Sequence, residues 1–357
     1  MKVSAFDYEL PESAIAQSPA EPRDAARLLV HRRSLDATEH RIVRDLPEIL
    51  QPGDLLVVND TRVRPARLFG RRSTGGQVEV LLVAREPGPD RWRALVRPAK
   101  RIVVGEVVDL EEGALTARAI ERRSGDDGEP GAEWVFDLTC APRFPSVDAA
   151  VEAAGHLPLP PYVKRERRDD PRESEDRERY QTVFAARSGA IAAPTAGLHF
   201  TPELVERLRA RGVEFARVTL HVGMGTFQPM AVDDVEAHRM HEEEYELLSD
   251  TVAAIERTRA RGRRVVAVGT TSARVLESCA DETGRLRPGV GSTRLFITPG
   301  RPFRVVDALL TNFHLPRSTL LVLVSALAGR ERVLALYREA LERGYRFYSY
   351  GDAMLFL

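Results

Sequence analysis

The chain has 357 residues, enough for one large or two medium domains, and its 52 Lys+Arg nearly balance its 53 Asp+Glu at 43% hydrophobic content. These values exclude a disordered or collagenous chain. The longest strongly apolar run, residues 320–328, is far shorter than the roughly 20 residues a membrane-spanning helix needs. Cys140 and Cys279 form no Cys-x-x-Cys pair, which fits a reducing compartment and argues against a thiolate zinc site. MKVSAFDYEL has no apolar segment behind Lys2, so a cytoplasmic location and no membrane partner are expected. None of the three lysines, Lys2, Lys100 and Lys164, follows a glycine, which excludes a Walker A loop; G-x-G-x-x-G is missing too. Arginine supplies 49 of the 52 basic residues, a bias for which base composition or thermal adaptation is the ordinary reading.

In chain order, DLLVVND (54–60) reads as a buried strand. Residues 61–105 then carry eleven basic side chains (Arg62, Arg64, Arg67, Arg71, Arg72, Arg85, Arg91, Arg93, Arg97, Lys100, Arg101) against Glu79, Glu86 and Asp90, and residues 106–140 reverse this with ten acidic positions against three arginines. The two stretches are expected to fold together and partly compensate. A solvated charged face accounts for the basic stretch, and so does a surface that tracks phosphates, because arginine forks match phosphate oxygens. QVEVLLVA, RWRALV, RIVVGEVVDL, LTARAIE and EWVFDLT read as five short strands, with SGDDGEPG as a hairpin tip, and suggest a small antiparallel barrel.

HLPLPPY (156–162) is expected to run extended. KRERRDDPRESEDRER (164–179), with seven charges of each sign, reads as a mobile, solvated segment. Helices and strands then alternate. Thr201 caps a helix with Pro202 at its first position and Leu204, Val205 and Leu208 on one face, ended by Gly212. FARVTLHV (215–222) is a strand, Ser249 to Gly262 repeats the helix grammar, and RRVVAVGT (263–270) is a strand. DETGRLRPGVG (281–291) is a surface loop, and Arg330 to Gly344 is a helix with Val333, Leu334, Leu336, Tyr337 and Leu341 as its apolar stripe. The expected fold class is α/β: a larger discontinuous α/β domain, residues 1–60 and 156–357, with helices on the faces of its sheet. A small antiparallel β-barrel domain, residues 61–155 and arginine-rich in its first half, is inserted in it.

Segments rich in Gly, Thr, His and Pro break these patterns: GAIAAPTAGLHFTP (189–202), TLHVGMGTFQP (219–229), HRMHEEEYE (238–246), VGTTSARVLES (268–278), LTNFHLPRSTL (310–320) and YRFYSYGDAM (345–354). Three of them follow an expected strand, where loops beyond carboxyl ends form a ligand crevice, so they are expected to converge. Each has an ordinary structural reading as well. His199, His221 and His314 sit beside apolar residues, as satisfied core histidines do. His238 and His241 form H-x-x-H before Glu242, Glu243 and Glu244, but this is not the H-E-x-x-H that binds zinc, and no metal is expected. Gly223 and Gly225 suit a tight turn or close approach to a flat ligand. VGTTSAR resembles a strand passing into a helix whose N–H groups, with Thr270, Thr271 and Ser272, suit an anion or ordinary capping. The aromatic alternation of YRFYSYGD suits a core strand.

With FDYELPESAIAQSP, PGDLLVVNDTRVRPARLFGRR, LPLPPY, DRERYQTV, GAIAAPTAGLHF, VTLHVGMGTFQP, VGTTSARVLES, VDALLTNFHLPRSTLLVLVSA and YRFYSYGDAML in this order, the chain resembles the S-adenosylmethionine:tRNA ribosyltransferase-isomerase family of queuosine biosynthesis over nearly its whole length. Ala26 stands where the family usually has serine, Arg64 where it often has a hydrophobic residue, and Glu242 and Glu244 make the M-H-x-E segment more acidic, which blurs the register of a base there. The resemblance implies that the ribosyl part of S-adenosylmethionine is moved and isomerised onto 7-aminomethyl-7-deazaguanine at a tRNA wobble position, giving epoxyqueuosine, adenine and methionine. S-adenosylmethionine is then a consumed substrate with no other cofactor, tRNA is the partner, and the chain is expected to be monomeric. His221 or Glu243 is expected to take the ribose 5′ proton, which the sulfonium acidifies; His199, His314 and His241 complete the catalytic candidates. The substrate-binding candidates are Tyr180, Gln181, Thr195, Gly197, Gly223, Gly225, Thr226, Phe227, Thr270, Thr271, Arg274, Asn312, Tyr350 and Asp352, with Tyr180 or Phe227 stacking on adenine and Arg274, Thr270 and Thr271 on the methionine carboxylate. Arg62, Arg64, Arg67, Arg71, Arg72, Arg97 and Lys100 are expected to hold RNA phosphates. The alternative is an S-adenosylmethionine-dependent tRNA methyltransferase, which the missing glycine-rich motif disfavours.

Overall fold

A computed structural model describes residues 1–124, 130–166, 170–223 and 229–357. Its strands are β1 (Arg27–Arg32), β2 (Ala37–Ile42), β3 (Leu55–Asn59), β4 (Thr61–Val63), β5 (Arg67–Arg72), β6 (Gln77–Arg85), β7 (Arg91–Arg97), β8 (Val107–Leu110), β9 (Leu115–Ser124), β10 (Pro130–Cys140), β11 (Arg187–Ala190), β12 (Glu214–Leu220), β13 (Glu243–Leu247), β14 (Val265–Val268), β15 (Gly289–Thr293), β16 (Ala308–Asn312) and β17 (Ala353–Phe356). Its helices are α1 (Leu46–Ile49), α2 (Val147–Ala154), α3 (Glu173–Arg179), α4 (Pro202–Ala210), α5 (Ser249–Ala260), α6 (Thr270–Cys279), α7 (Thr319–Ala328) and α8 (Arg330–Glu342). The chain divides into two compact units, one of Met1–Arg62, Pro160–Arg168 and Glu178–Leu357, the other of Val63–Leu159 and Asp169–Arg177.

The first unit is built on a nine-stranded sheet in the order β15-β13-β12-β3-β14-β16-β17-β1-β2. Its centre, β12, β3, β14 and β16, is parallel. Both faces of β3 are covered, because Leu55 and Val57 belong to one apolar cluster and Leu56 and Val58 to the other. That is why the strand reads as a continuous hydrophobic run. The Thr201 side chain caps α4 by accepting from the Leu204 N–H at 3.1 Å, and Gly212 takes φ +78 beyond it. Among the described residues no helix is long and apolar enough to cross a membrane.

The second unit contains a closed antiparallel barrel in the order β10-β7-β6-β5-β8-β9. Its interior takes alternate residues such as Val78, Val80 and Leu82 of β6. The basic and acidic stretches do meet: Arg72 grips Glu106 at 2.8 and 3.0 Å, and Arg91 grips Asp137 at 2.7 and 3.0 Å.

The α/β sheet and the antiparallel barrel match the expected fold class; several local expectations do not hold. The barrel has six strands, because β5 lies hidden in the arginine-rich stretch. RIVVGEVVDL is a 3-10 turn and a loop before it becomes β8, with Gly105 at φ +85. RRVVAVGT stops being a strand at Val268, where Gly269 at φ +87 turns the chain into α6. Ser249 is the first residue of α5, whose cap is Leu248 without a side-chain bond. The charged segment forms α3 instead of an unstructured linker: Glu173, Glu175 and Asp176 occupy its first turn, where acidic groups favour a helix, and Asp170 and Asp176 are buried. Residues 167–169 and most of the SGDDGEPG tip lie outside the described residues.

Candidate functional site

The loops after β12, β14 and β16 meet beyond the carboxyl ends of these strands and enclose a pocket with about 620 Å³ of empty space, part of it open to solvent. Val222 comes from the first, Gly269 with Thr270 and Thr271 at the start of α6 from the second, and Thr311 and Asn312 at the end of β16 with Phe313, His314 and Leu315 beyond it from the third; Tyr162, Ala193 to Ala196, Ser318, Leu320, Tyr348 and Ser349 complete the wall. Such a crevice arises where parallel strands end together. No described lining residue carries a carboxylate, ammonium or guanidinium group.

Gly269 opens the site. Its amide donates to the Leu310 carbonyl of the neighbouring strand at 2.7 Å, and a side chain there would meet Ala196 Cβ and Thr271 Oγ1, each at 3.5 Å. Tyr162 and Tyr348 stack at 4.4 Å with 17° between their planes, and the Tyr162 hydroxyl bonds Ser349 at 2.6 Å. Tyr348 has φ +71, a left-handed conformation costly for a side chain of this size. Its carbonyl accepts from Asn312 Nδ2 at 3.0 Å and its amide donates to Phe313 at 3.2 Å. Burial raises the Tyr348 hydroxyl above its usual range and pushes the His314 imidazole down to about 3, so both stay neutral at neutral pH. His314 Nε2 faces Thr311 Oγ1 at 2.8 Å. Thr271 Oγ1, Asn312 Oδ1 and the Tyr348 hydroxyl are buried without a hydrogen-bond partner among the described residues. Unmet polar atoms of this kind cost about 1–3 kcal/mol each when nothing pairs them, so three of them in one pocket call for bonds from water or a bound molecule.

Of the sequence candidates, Thr195, Thr270, Thr271, Asn312 and His314 line this pocket. The others divide. His221 and Glu243 do not line it; they meet where β12 pairs with β13: Gly223 N–H donates to Glu243 Oε1 at 2.9 Å, and the His221 amide donates to the Glu244 carbonyl at 3.0 Å. His221 Nδ1 bonds Thr61 Oγ1 at 2.8 Å. A side chain at Gly189 would strike the His221 ring at 2.5 Å, so this glycine is what admits the imidazole. Arg274 is not where the carboxylate expectation puts it. Its Nη1 is paired with Glu243 and its Nε donates to the Leu295 carbonyl at 3.1 Å, both away from the pocket lining.

His199 lines a second, smaller cleft with Arg23, Tyr350 and Gly351; its Nδ1 faces the Ala196 carbonyl at 3.2 Å and its Nε2 the Gly351 carbonyl at 3.0 Å. Burial holds its pKa below the usual value. Tyr180 is wholly buried against Tyr350 at 5.8 Å, edge to face, so it offers no open ring to adenine. Asp352 is a staple, accepting from the Arg27 amide at 2.9 Å and the Arg346 amide at 2.8 Å. The Gln181 carbonyl accepts from Arg23 at 2.6 Å, and Gly197 makes room for Thr182 at 3.0 Å. His241 is exposed, and His238 packs edge-on against Phe296 at 5.6 Å. Gly225, Thr226 and Phe227 lie outside the described residues.

The RNA candidates also separate. Arg64, Arg67 and Arg72 are engaged by Asp148, Glu79 and Glu106, and the Arg64 guanidinium also sits 4.4 Å over the Trp92 ring. Arg62, Arg71, Arg97 and Lys100 are exposed.

Sequence reasoning missed Tyr162, Thr311, Ser318, Tyr348 and Ser349 as site residues. The signal was present in LPLPPY and YRFYSYGD, where a rigid proline run and an aromatic run carry polar tips; alternation alone favoured a core strand.

Residues 3–356 match the family model for "Queuosine biosynthesis protein". The chain is 56% identical over 357 residues to the S-adenosylmethionine:tRNA ribosyltransferase-isomerase of Gloeobacter violaceus, covering 99% of this chain and 95% of that one. It is 54% identical to the enzyme of the same name from Pelobacter propionicus, covering 99% of each. The crystal structure of S-adenosylmethionine tRNA ribosyltransferase from Thermotoga maritima is similar at a TM-score of 0.55 and 41% identity, covering 99% of this chain and 100% of that one. The methyltransferase alternative finds no support in these relatives. With matches that run from one end of the chain to the other and a pocket built from the same motif segments, this chain belongs to the queuosine biosynthesis protein family.

Proposed function

We propose that the chain is a tRNA ribosyltransferase-isomerase. It moves the ribosyl moiety of S-adenosylmethionine onto 7-aminomethyl-7-deazaguanine at the wobble position, forming epoxyqueuosine and releasing adenine and methionine. The observation that carries this reading is the full-length identity with relatives of that name, 56% for the first of them. The pocket adds physical support, since its stacked tyrosines suit a flat base and its uncharged lining suits a substrate that brings its own positive sulfonium.

The sulfonium acidifies the ribose 5′ C–H, and a base that removes this proton starts ring opening and expulsion of adenine. His221 fits the base better than Glu243. Its imidazole is oriented by the Thr61 hydroxyl, whereas both Glu243 oxygens are engaged by Gly223 and Arg274. His314, neutral and lining the pocket, offers departing adenine a hydrogen bond rather than a proton, and solvent supplies the proton adenine takes up. The amine of the deazaguanine then attacks the exposed ribosyl carbon, and methionine leaves as a neutral thioether. S-adenosylmethionine is consumed, with no further cofactor. The tRNA is held through phosphates by exposed basic residues of the barrel such as Arg71, Arg97 and Lys100. Because the target base lies in an anticodon loop, taking it into a pocket costs less than flipping it from a duplex. The chain is read as a monomer working in the cytoplasm.

Mass spectrometry of products from pure protein, S-adenosylmethionine and tRNA bearing 7-aminomethyl-7-deazaguanine tests the reading. Free adenine with a ribosyl-derived mass gain on the nucleoside is expected; S-adenosylhomocysteine with a methyl-sized gain would replace it with the methyltransferase.

A further inference from the structure

We infer that the end of the pocket between α6 and β16 takes the α-amino-carboxylate end of the sulfonium substrate without any charged side chain: the α6 amides and the Thr271 hydroxyl hold the carboxylate, and Asn312 Oδ1 receives the ammonium. This rests on the functional reading above and assigns an orientation within its site.

The two halves of this subsite are neighbours through the sheet, since β14 and β16 pair in parallel with Val268 opposite Leu310, and the chain enters α6 two residues after Val268. The helix has ten residues, begins at Gly269 without a side-chain cap, and makes its first backbone bond from Ala273 N–H to the Gly269 carbonyl at 3.2 Å. The amides of Thr270, Thr271 and Ser272 therefore precede the helical ladder, at the positive end of the dipole. Ser272 turns its hydroxyl back to the Val268 carbonyl at 2.9 Å, which removes it as a ligand. Thr271 does not: its Oγ1 is buried without a partner in a residue 8% exposed that lines the pocket.

Asn312, 2% exposed, supplies the opposite demand. Its Nδ2 donates to the Tyr348 carbonyl at 3.0 Å, which fixes the amide and leaves Oδ1 as an acceptor with no donor among the described residues. An acceptor needs N–H, a helix N-terminus needs an anion, and an α-amino acid presents both on one carbon. The ligand group is net neutral, so the site avoids the desolvation cost of burying an unpaired ion. Arg274, the cation nearest in sequence, does not line the pocket and is paired with Glu243.

Calorimetric titration of the purified chain with S-adenosylmethionine, its decarboxylated analogue, its deaminated analogue and 5′-methylthioadenosine tests this, together with Thr271→Val. In the wild type each truncated analogue is expected to bind roughly tenfold or more weaker than S-adenosylmethionine. Thr271→Val is expected to weaken S-adenosylmethionine by a similar factor while leaving 5′-methylthioadenosine unchanged, a readout that an unfolded variant could not produce. If the wild type binds S-adenosylmethionine and both truncated analogues equally well, the subsite is wrong while the enzyme assignment stands. If it binds none of the four compounds, both are overturned.

Discussion

Glu243 and Arg274 form an ion pair whose side chains are 6% and 5% exposed, and replacing Glu243 by Gln separates two explanations of its importance. The amide keeps a carbonyl oxygen for the Gly223 N–H, which donates at 2.9 Å, but removes the negative charge facing Arg274. Among the described residues Arg274 then holds a buried positive charge with only the Leu295 carbonyl as acceptor, since its Nη2 already has no partner there. Breaking one side of a buried pair costs about 3–5 kcal/mol. At the lower figure, and at about 2–4 °C per kcal/mol for a unit of this size, Glu243→Gln melts roughly 6–12 °C below wild type. The double variant Glu243→Gln with Arg274→Met removes both charges and is expected to recover most of that loss, because neutral replacements escape the desolvation cost. Thermal melts by circular dichroism, run beside a turnover assay, read both quantities. A single variant that melts with wild type yet turns over far more slowly would refute the structural account and return Glu243 to the role of base.

Two further outcomes follow from the geometry. Removing Arg71, Arg97 and Lys100 together by alanine substitution should lower the slope of log affinity for tRNA against log salt by about 0.7–0.9 per lost phosphate contact, measured by filter binding; an unchanged slope would remove these residues from the RNA surface. His314 has a folded pKa of about 3 against roughly 6.5 for a free imidazole, so the unfolded chain binds its proton first. Its contribution to stability is fully present above pH 6.5 and is lost as pH falls toward 3, and melts of His314→Gln between pH 7 and 4.5 should be less acid-sensitive than wild type. His31, His199 and His238 are shifted downward too and stay in both proteins, so only the difference between the two profiles is diagnostic.

Much of this architecture is legible before any coordinates. Four buried residues in a row at 55–58 announce a strand covered on both faces, and Thr201-Pro202 with Leu204, Val205 and Leu208 announces a capped amphipathic helix, because capping and periodicity are local properties. β5 escaped notice because Arg67, Arg71 and Arg72 obscure its pattern, although Leu68 and Phe69 are buried; only pairing with β6 and β8 makes it a strand. α3 was hidden by its charge. The motif segments do converge in part, since Thr270, Thr271, Asn312 and His314 share one pocket. Arg274, Asp352 and Tyr180 come from equally suggestive strings but turn their groups into an ion pair, a pair of backbone amides and the core.

Local sequence thus determined most element types, the apolar faces and which loops break the regular patterns, since hydrogen-bonding and packing preferences act over a few residues. The tertiary structure alone decided which way each polar group points. Asn312 is held by the Tyr348 carbonyl 36 positions away, Arg274 by a carboxylate 31 positions away and His221 by Thr61 160 positions away. Whether a threonine caps a helix or waits for a ligand depends on partners the folded sheet brings beside it, and those distances are not written in any one segment.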